Sequence, residues 1–175
     1  MPNSVMRQSE EDTRTRAPIL VLGVGNILLG DEGVGVRVVE AMQRMKPSHG
    51  VEVLDGGTAS MALLDSLSNR DRVIVIDAVK GNHDPGTIYR FTPADMNAQK
   101  EIVTSLHQID LLDALAQVEF LGRAPRDVVL YGIEPKSIGL GLELTPEVEA
   151  AIPRVIELVL SELQTSTLRG AGANR

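Results

Sequence analysis

The sequence predicts a three-layer α/β/α sandwich around a five-stranded, mostly parallel twisted sheet with one antiparallel strand. Three observations carry this expectation. Short aliphatic runs alternate with amphipathic stretches along most of the 175 residues, the pattern of helices laid over a parallel sheet. Two of the runs, Ile19-Leu-Val-Leu22 and Val73-Ile-Val-Ile76, lack polar alternation, as strands covered on both faces do. The gap from Asp77 to Thr87 is shorter than the dozen or more residues a helical crossover takes. The strand it feeds is therefore antiparallel to its predecessor or lies at an edge.

Pro18 to Gly23 reads as strand one, and the three- and four-residue steps of Val34, Val38, Ala41, Met42 and Met45 as the first helix. Val51–Leu54 is strand two, Thr58–Leu67 a second helix and Arg72–Asp77 strand three. Thr87–Phe91 is strand four, after the turn formers Asn82-His-Asp-Pro-Gly86. A loop from Thr92 leads to a helix over 106–121, and Asp127–Ile133 is strand five. Thr145-Pro146 opens the last helix as N-cap and first helical residue. Pro153 is expected to kink or restart it. One domain over 18–165 is expected, with a disordered tail at 1–17 and a flexible one at 166–175, both poor in residues that offset ordering entropy.

The net charge of −7 argues against nucleic acid or an anionic membrane as partner. The absence of cysteine removes disulfides, thiolate metal sites and a thiol nucleophile together. No apolar run is long enough to span a bilayer and the N-terminus lacks an apolar signal core, so the protein is expected in the cytoplasm.

In parallel α/β sheets, sites form outside the carboxyl ends of the strands. Here those ends are acidic: the glycine loop after strand one carries Asp31 and Glu32, strand two ends in Asp55-Gly-Gly-Thr58, strand three in Asp77, and strand five leads to Glu134. Gly23-Val-Gly25 begins like a dinucleotide loop, and Asp55 imitates the ribose-binding acid. The third glycine of that fingerprint, however, falls on Leu28, and Asp31 and Glu32 would face a pyrophosphate. No nucleotide is expected.

Carboxylates gathered at one edge suit a cation. His49 and His83 read as exposed loop residues, whereas His107 opens a helix. Glu32, Asp77 and His107 together offer two carboxylates and an imidazole, a donor set for a borderline divalent ion with a coordination position left open. Plainer roles stand beside this one. Asp31 suits the N-cap of helix one, Glu32 gains from the same helix dipole, Asp55 is a turn former, and His107 a cap or surface residue. Asp77 is hardest to read as incidental, because a carboxylate on a central strand is costly to desolvate without a partner. Neither HExxH nor GxSxG occurs, which removes the common zincin and serine-hydrolase readings.

Val21-Leu-Gly-Val-Gly-Asn-Ile-Leu-Leu-Gly-Asp-Glu-Gly-Val-Gly-Val36 resembles the signature of the [NiFe]-hydrogenase maturation endopeptidases. Leu54-Asp-Gly-Gly-Thr58, Val75-Ile-Asp-Ala78, Pro85-Gly-Thr87, Leu106-His-Gln108 and Gly139-Leu-Gly-Leu-Glu-Leu-Thr-Pro146 follow in that family's order. The resemblance covers roughly residues 18 to 163 and implies the same sandwich on a five-stranded sheet. It implies a peptidase that removes the C-terminal extension of the immature hydrogenase large subunit once nickel is in place. Glu32, Asp77 and His107 match the family's metal-contacting residues and form the implied catalytic group, while Asp55 matches a residue of substrate recognition. Nickel is implied as carried by the substrate, at a site open to other divalent cations such as zinc or cadmium. The alternative is a nickel-dependent checkpoint or chaperone that binds the large subunit without cutting it.

Overall fold

The structure, a computed structural model, describes residues 16–58, 63–98 and 106–171, with side chains over 16–58, 63–95 and 111–165. The strands are β1 (Ile19–Val24), β2 (Val51–Gly57), β3 (Arg72–Ala78), β4 (Ile88–Phe91) and β5 (Asp127–Ile133). The helices are α1 (Val34–Arg44), α2 (Leu63–Leu67), α3 (Pro93–Ala98), α4 (Leu106–Phe120) and α5 (Pro146–Ala171), with a single 3-10 turn over Asp31–Gly33 ahead of α1. The sheet order is β2-β1-β3-β5-β4. All neighbours are parallel except β4, which runs antiparallel to β5 from Ile88↔Ile133 to Phe91↔Leu130. The short connection after β3 thus leads to an edge strand, and its partner is β5 because β1 and β5 already flank β3.

Side chains along a strand point alternately to the two faces of a sheet, and both faces are covered here. Val21, Ile74, Ile76, Val129 and Tyr131 pack with Val34, Val38 and Met42 of α1 and Val148, Val155 and Val159 of α5. Leu20, Leu22, Val73, Val75 and Leu130 pack with Leu63 and Leu67 of α2 and Leu111, Ala114 and Val118 of α4. Every residue of β3 is buried, as its unbroken aliphatic run requires.

Helix α5 continues through Pro153 to Ala171 without restarting. Pro153 is exposed, so the Glu149 carbonyl whose partner it removes stays open to water. The helix also passes the expected boundary at 165, since nothing in Gln164–Arg169 breaks it. Helix α3 was not expected. Thr92 and Asp95 cap it reciprocally: Asp95 Oδ2 accepts from Thr92 N at 2.8 Å and from its hydroxyl at 2.7 Å, and Thr92 Oγ1 accepts from Asp95 N. Of the expected N-terminal tail, residues 1–15 lie outside the described residues, while Arg16 pairs with Asp65 at 2.5 Å and the Ala17 carbonyl accepts from the buried Arg70. No described helix is long and apolar enough to cross a membrane.

Candidate active site

The site lies where β1 and β3 end beneath the start of α1, and two glycines set that approach. A Cβ on Gly35 would stand 2.2 Å from the Ile76 carbonyl and 2.4 Å from that of Val24, and one on Gly23 would stand 2.2 Å from the Gly35 carbonyl. Helix and sheet therefore meet backbone to backbone. Gly25, at φ +139°, turns the chain off β1 where only a glycine fits, because a Cβ there would lie 2.0 Å from the Glu32 carbonyl.

This contact brings the turn that carries Glu32 to the strand that carries Asp77. Glu32 lies in the 3-10 turn three residues before Gly35, and that turn packs against β3. Asp77 directly follows Ile76, in register with Gly132 of β5. Glu32 is half-buried and Asp77 is buried, with Asp77 Oδ1 accepting from Ala78 N at 2.8 Å. His107 falls in the first turn of α4, and its side chain lies outside the described residues. Among the described residues no group of three or more His, Asp or Glu is placed to hold a metal ion. Two members of the expected set thus come to neighbouring elements.

Asp31 does something other than the expected N-cap. The N-cap positions fall on Gly30, for the 3-10 turn, and on Gly33, for α1. It is fully buried, and its carboxylate gathers the segment between β5 and α5: Oδ2 accepts from Lys136 N at 2.9 Å, Ser137 N at 3.0 Å and the Thr145 hydroxyl at 2.9 Å, and Oδ1 from Thr145 N at 2.7 Å. Burial alone would raise its pKa. The four hydrogen bonds outweigh that and hold it below the ordinary carboxylate range. The Thr145 hydroxyl, expected to cap α5, is spent on this bond.

Glu134 is likewise turned inward. It is buried, and its Oε2 accepts from Gly81 N at 2.6 Å and from the Tyr89 hydroxyl at 2.5 Å. Burial, then the bond to Glu134, push the Tyr89 pKa well above its usual value and keep the hydroxyl a donor. His49 and His83 are exposed, as expected, with His83 Nδ1 3.1 Å from the Tyr89 hydroxyl. Asp55 is exposed at the end of β2 and closes a turn by accepting from Gly57 N at 2.8 Å. The acidic edge thus divides by role. Asp31 and Glu134 anchor loops, Glu32 and Asp77 lie on elements that pack together, and Asp55 faces solvent.

Comparison with known proteins bears on the family and the fold. Residues 36–162 match the family model described as hydrogenase maturation protease. The chain belongs to the hydrogenase maturation protease family. It is 44% identical over 151 residues to the Hydrogenase 2 maturation protease of Escherichia coli K12, covering 85% of this chain and 92% of that one. It is 39% identical over 156 residues to the hydrogenase expression/formation protein HupD of Thiocapsa roseopersicina, covering 86% and 69%. The solved structure of the hydrogenase maturating endopeptidase HybD from E. coli superposes with a TM-score of 0.77, covering 85% of this chain and 93% of that one at 44% identity. The fold is that of the HybD-like protease, and as a member of this family the chain is a peptidase of hydrogenase maturation.

Proposed function

We propose that this peptidase removes the C-terminal extension of a [NiFe]-hydrogenase large subunit after nickel has been inserted, and that Glu32, Asp77 and His107 meet the substrate's nickel. The observation that supports this reading most is the packing of the turn that carries Glu32 against β3, which carries Asp77, at the carboxyl edge, with Gly35 set against the Ile76 carbonyl. Carboxylate oxygens suit a divalent cation. A cation brought by the substrate would place its nearby peptide bond against them and polarise its carbonyl or a water. In the competing mechanism Asp77 acts as general base and takes the proton from that water. On this reading the protease is idle until a loaded substrate completes the site. Asp55, exposed beside the cleft, takes part in substrate recognition.

The test is cleavage of nickel-loaded and nickel-free large subunit by wild type and by Glu32→Gln, Asp77→Asn and His107→Ala, read by mass spectrometry of the C-terminus. The expected result is cleavage of loaded subunit only, lost in all three variants. Equal cleavage of both substrates, or full activity in every variant, rejects the nickel role. Binding with an uncut extension favours the checkpoint reading.

A further inference from the structure

The segment between β5 and α5 carries an exposed apolar ridge on an unusually well-tied loop. Leu140 is 94% exposed, Leu142 60% and Ile138 41%, and Leu28 beside them 57%. A loop that carries leucines in water is ordinarily a loose one, yet this one is fastened at both ends to Asp31. Along its length it pairs with the glycine loop after β1: Gly141 N donates to the Leu28 carbonyl at 3.0 Å, Gly139 N to that of Leu29, and Gly30 N to that of Gly141 at 2.9 Å. Arg37 holds the Leu142 carbonyl from α1 at 3.0 Å.

Among the described residues, two glycines of this loop have open space where a side chain would stand. A Cβ on Gly139 would meet nothing within 4 Å, and one on Gly141 would reach only the Gly139 carbonyl at 4.0 Å. Neither has the left-handed backbone found at Gly25 or Gly30. They differ in this from Gly23 and Gly35, where the fold itself excludes a side chain. Bare backbone between exposed leucines leaves room for another backbone to lie close. The ridge is also continuous with the proposed site, since Asp31, which holds it, and Glu32 are adjacent in one 3-10 turn. Beside Leu142 a cavity of about 540 Å³, lined by Arg37, Arg44, Leu144 and Ile152 among others, offers depth for side chains.

We infer that Leu28, Ile138, Leu140 and Leu142 form the docking ridge for an extended apolar segment of the protein substrate flanking the cleaved bond, its backbone passing over Gly139 and Gly141. This inference rests on the proposed processing reaction, and its test separates the two. Wild type must first cleave the nickel-loaded large subunit, and failure there rejects the reaction itself. Given cleavage, Leu140→Asp/Leu142→Asp and, separately, Gly139→Val are expected to raise KM about tenfold or more with kcat kept within about twofold, the signature of lost binding away from the reacting atoms. Thermal midpoints are expected to match wild type, as the altered side chains point into solvent. Should the double variant fold poorly, Leu140→Ser alone carries the test. Unchanged KM overturns the inference while leaving the reaction standing. So does a wild-type dimer in sedimentation that the double variant dissolves at unchanged KM, which would make the ridge a contact between two copies of this chain.

Discussion

Asp31 and Thr145, 114 residues apart in sequence, are joined twice, backbone N–H to Oδ1 at 2.7 Å and hydroxyl to Oδ2 at 2.9 Å. With Lys136 and Ser137 on the same carboxylate, the residue next to Glu32 anchors the segment between β5 and α5. Asp31→Asn keeps the shape but presents an amide donor to donors, leaving buried N–H groups unmet. It is expected to cost about 2–3 kcal/mol, seen as a lower thermal midpoint, with catalytic loss following from the displaced turn.

The same residue sets a pH dependence. The folded pKa of Asp31 is lowered, so its contribution is complete above the unfolded value, near 3.9, and is lost as pH falls through the folded value. The gap in thermal midpoint between wild type and Asp31→Asn is therefore expected to be constant at neutral pH and to narrow below about pH 4. A gap that stays constant down to about pH 2.5 contradicts the linkage.

Gly35→Ala puts a methyl group 2.2 Å from the Ile76 carbonyl, a distance no side-chain rotation relieves. Overpacking of this kind costs about 1–3 kcal/mol. Here the helix start also lifts from β3 and carries Glu32 away from Asp77. The expected result is loss of processing out of proportion to the loss of stability. Assays of cleavage and melting on the same preparation check it.

Much of this was legible in sequence, and the failures have identifiable physics. Strand positions followed from aliphatic runs because both faces of the sheet are covered. Asp77 stood out because a carboxylate on a buried strand needs a reason. Helix α3 was missed although Thr92-Pro93 repeats the Thr-Pro pair that stands at the start of α5, Thr145-Pro146. A one-and-a-half-turn helix shows too little periodicity to confirm its cap. The role of Asp31 was hidden because an acid before a helix satisfies the local capping rule equally well. Only the fold brings Lys136, Ser137 and Thr145 to it. Gly35 gave no signal, since close approach between backbones is a tertiary fact.

At the opposite end of the sheet, Glu162 of α5 gathers three strands. Its carboxylate bonds Arg72 of β3, Arg90 of β4 at 2.7 Å and the Tyr131 hydroxyl of β5 at 3.1 Å. Its side chain is 14% exposed. Burial would raise its pKa, but the bonds and charges of Arg90 and Arg72 prevail and lower it. Glu162→Gln removes the charge and leaves Arg72, nearly buried, to the half-exposed Asp127 carboxylate at 3.0 Å, which is costlier than losing a surface pair. A destabilisation of about 2–4 kcal/mol is expected, with the folded protein's KM and kcat unchanged because Arg72 opens β3 at the end away from Asp77.

Asp55→Asn separates the two readings of Asp55. Asparagine keeps Oδ1 to accept from Gly57 N, the turn bond made at 2.8 Å, and loses only the charge. If Asp55 is merely a turn former, neither melting nor processing changes. If it recognises substrate, kcat/KM falls by about tenfold or more while the thermal midpoint stays within the error of wild type, since an exposed charge contributes little to stability. Asp55→Ala, which removes the turn acceptor as well, is expected to add a stability loss of about 1 kcal/mol. An Asp55→Asn variant with wild-type kcat/KM assigns the residue to the turn alone.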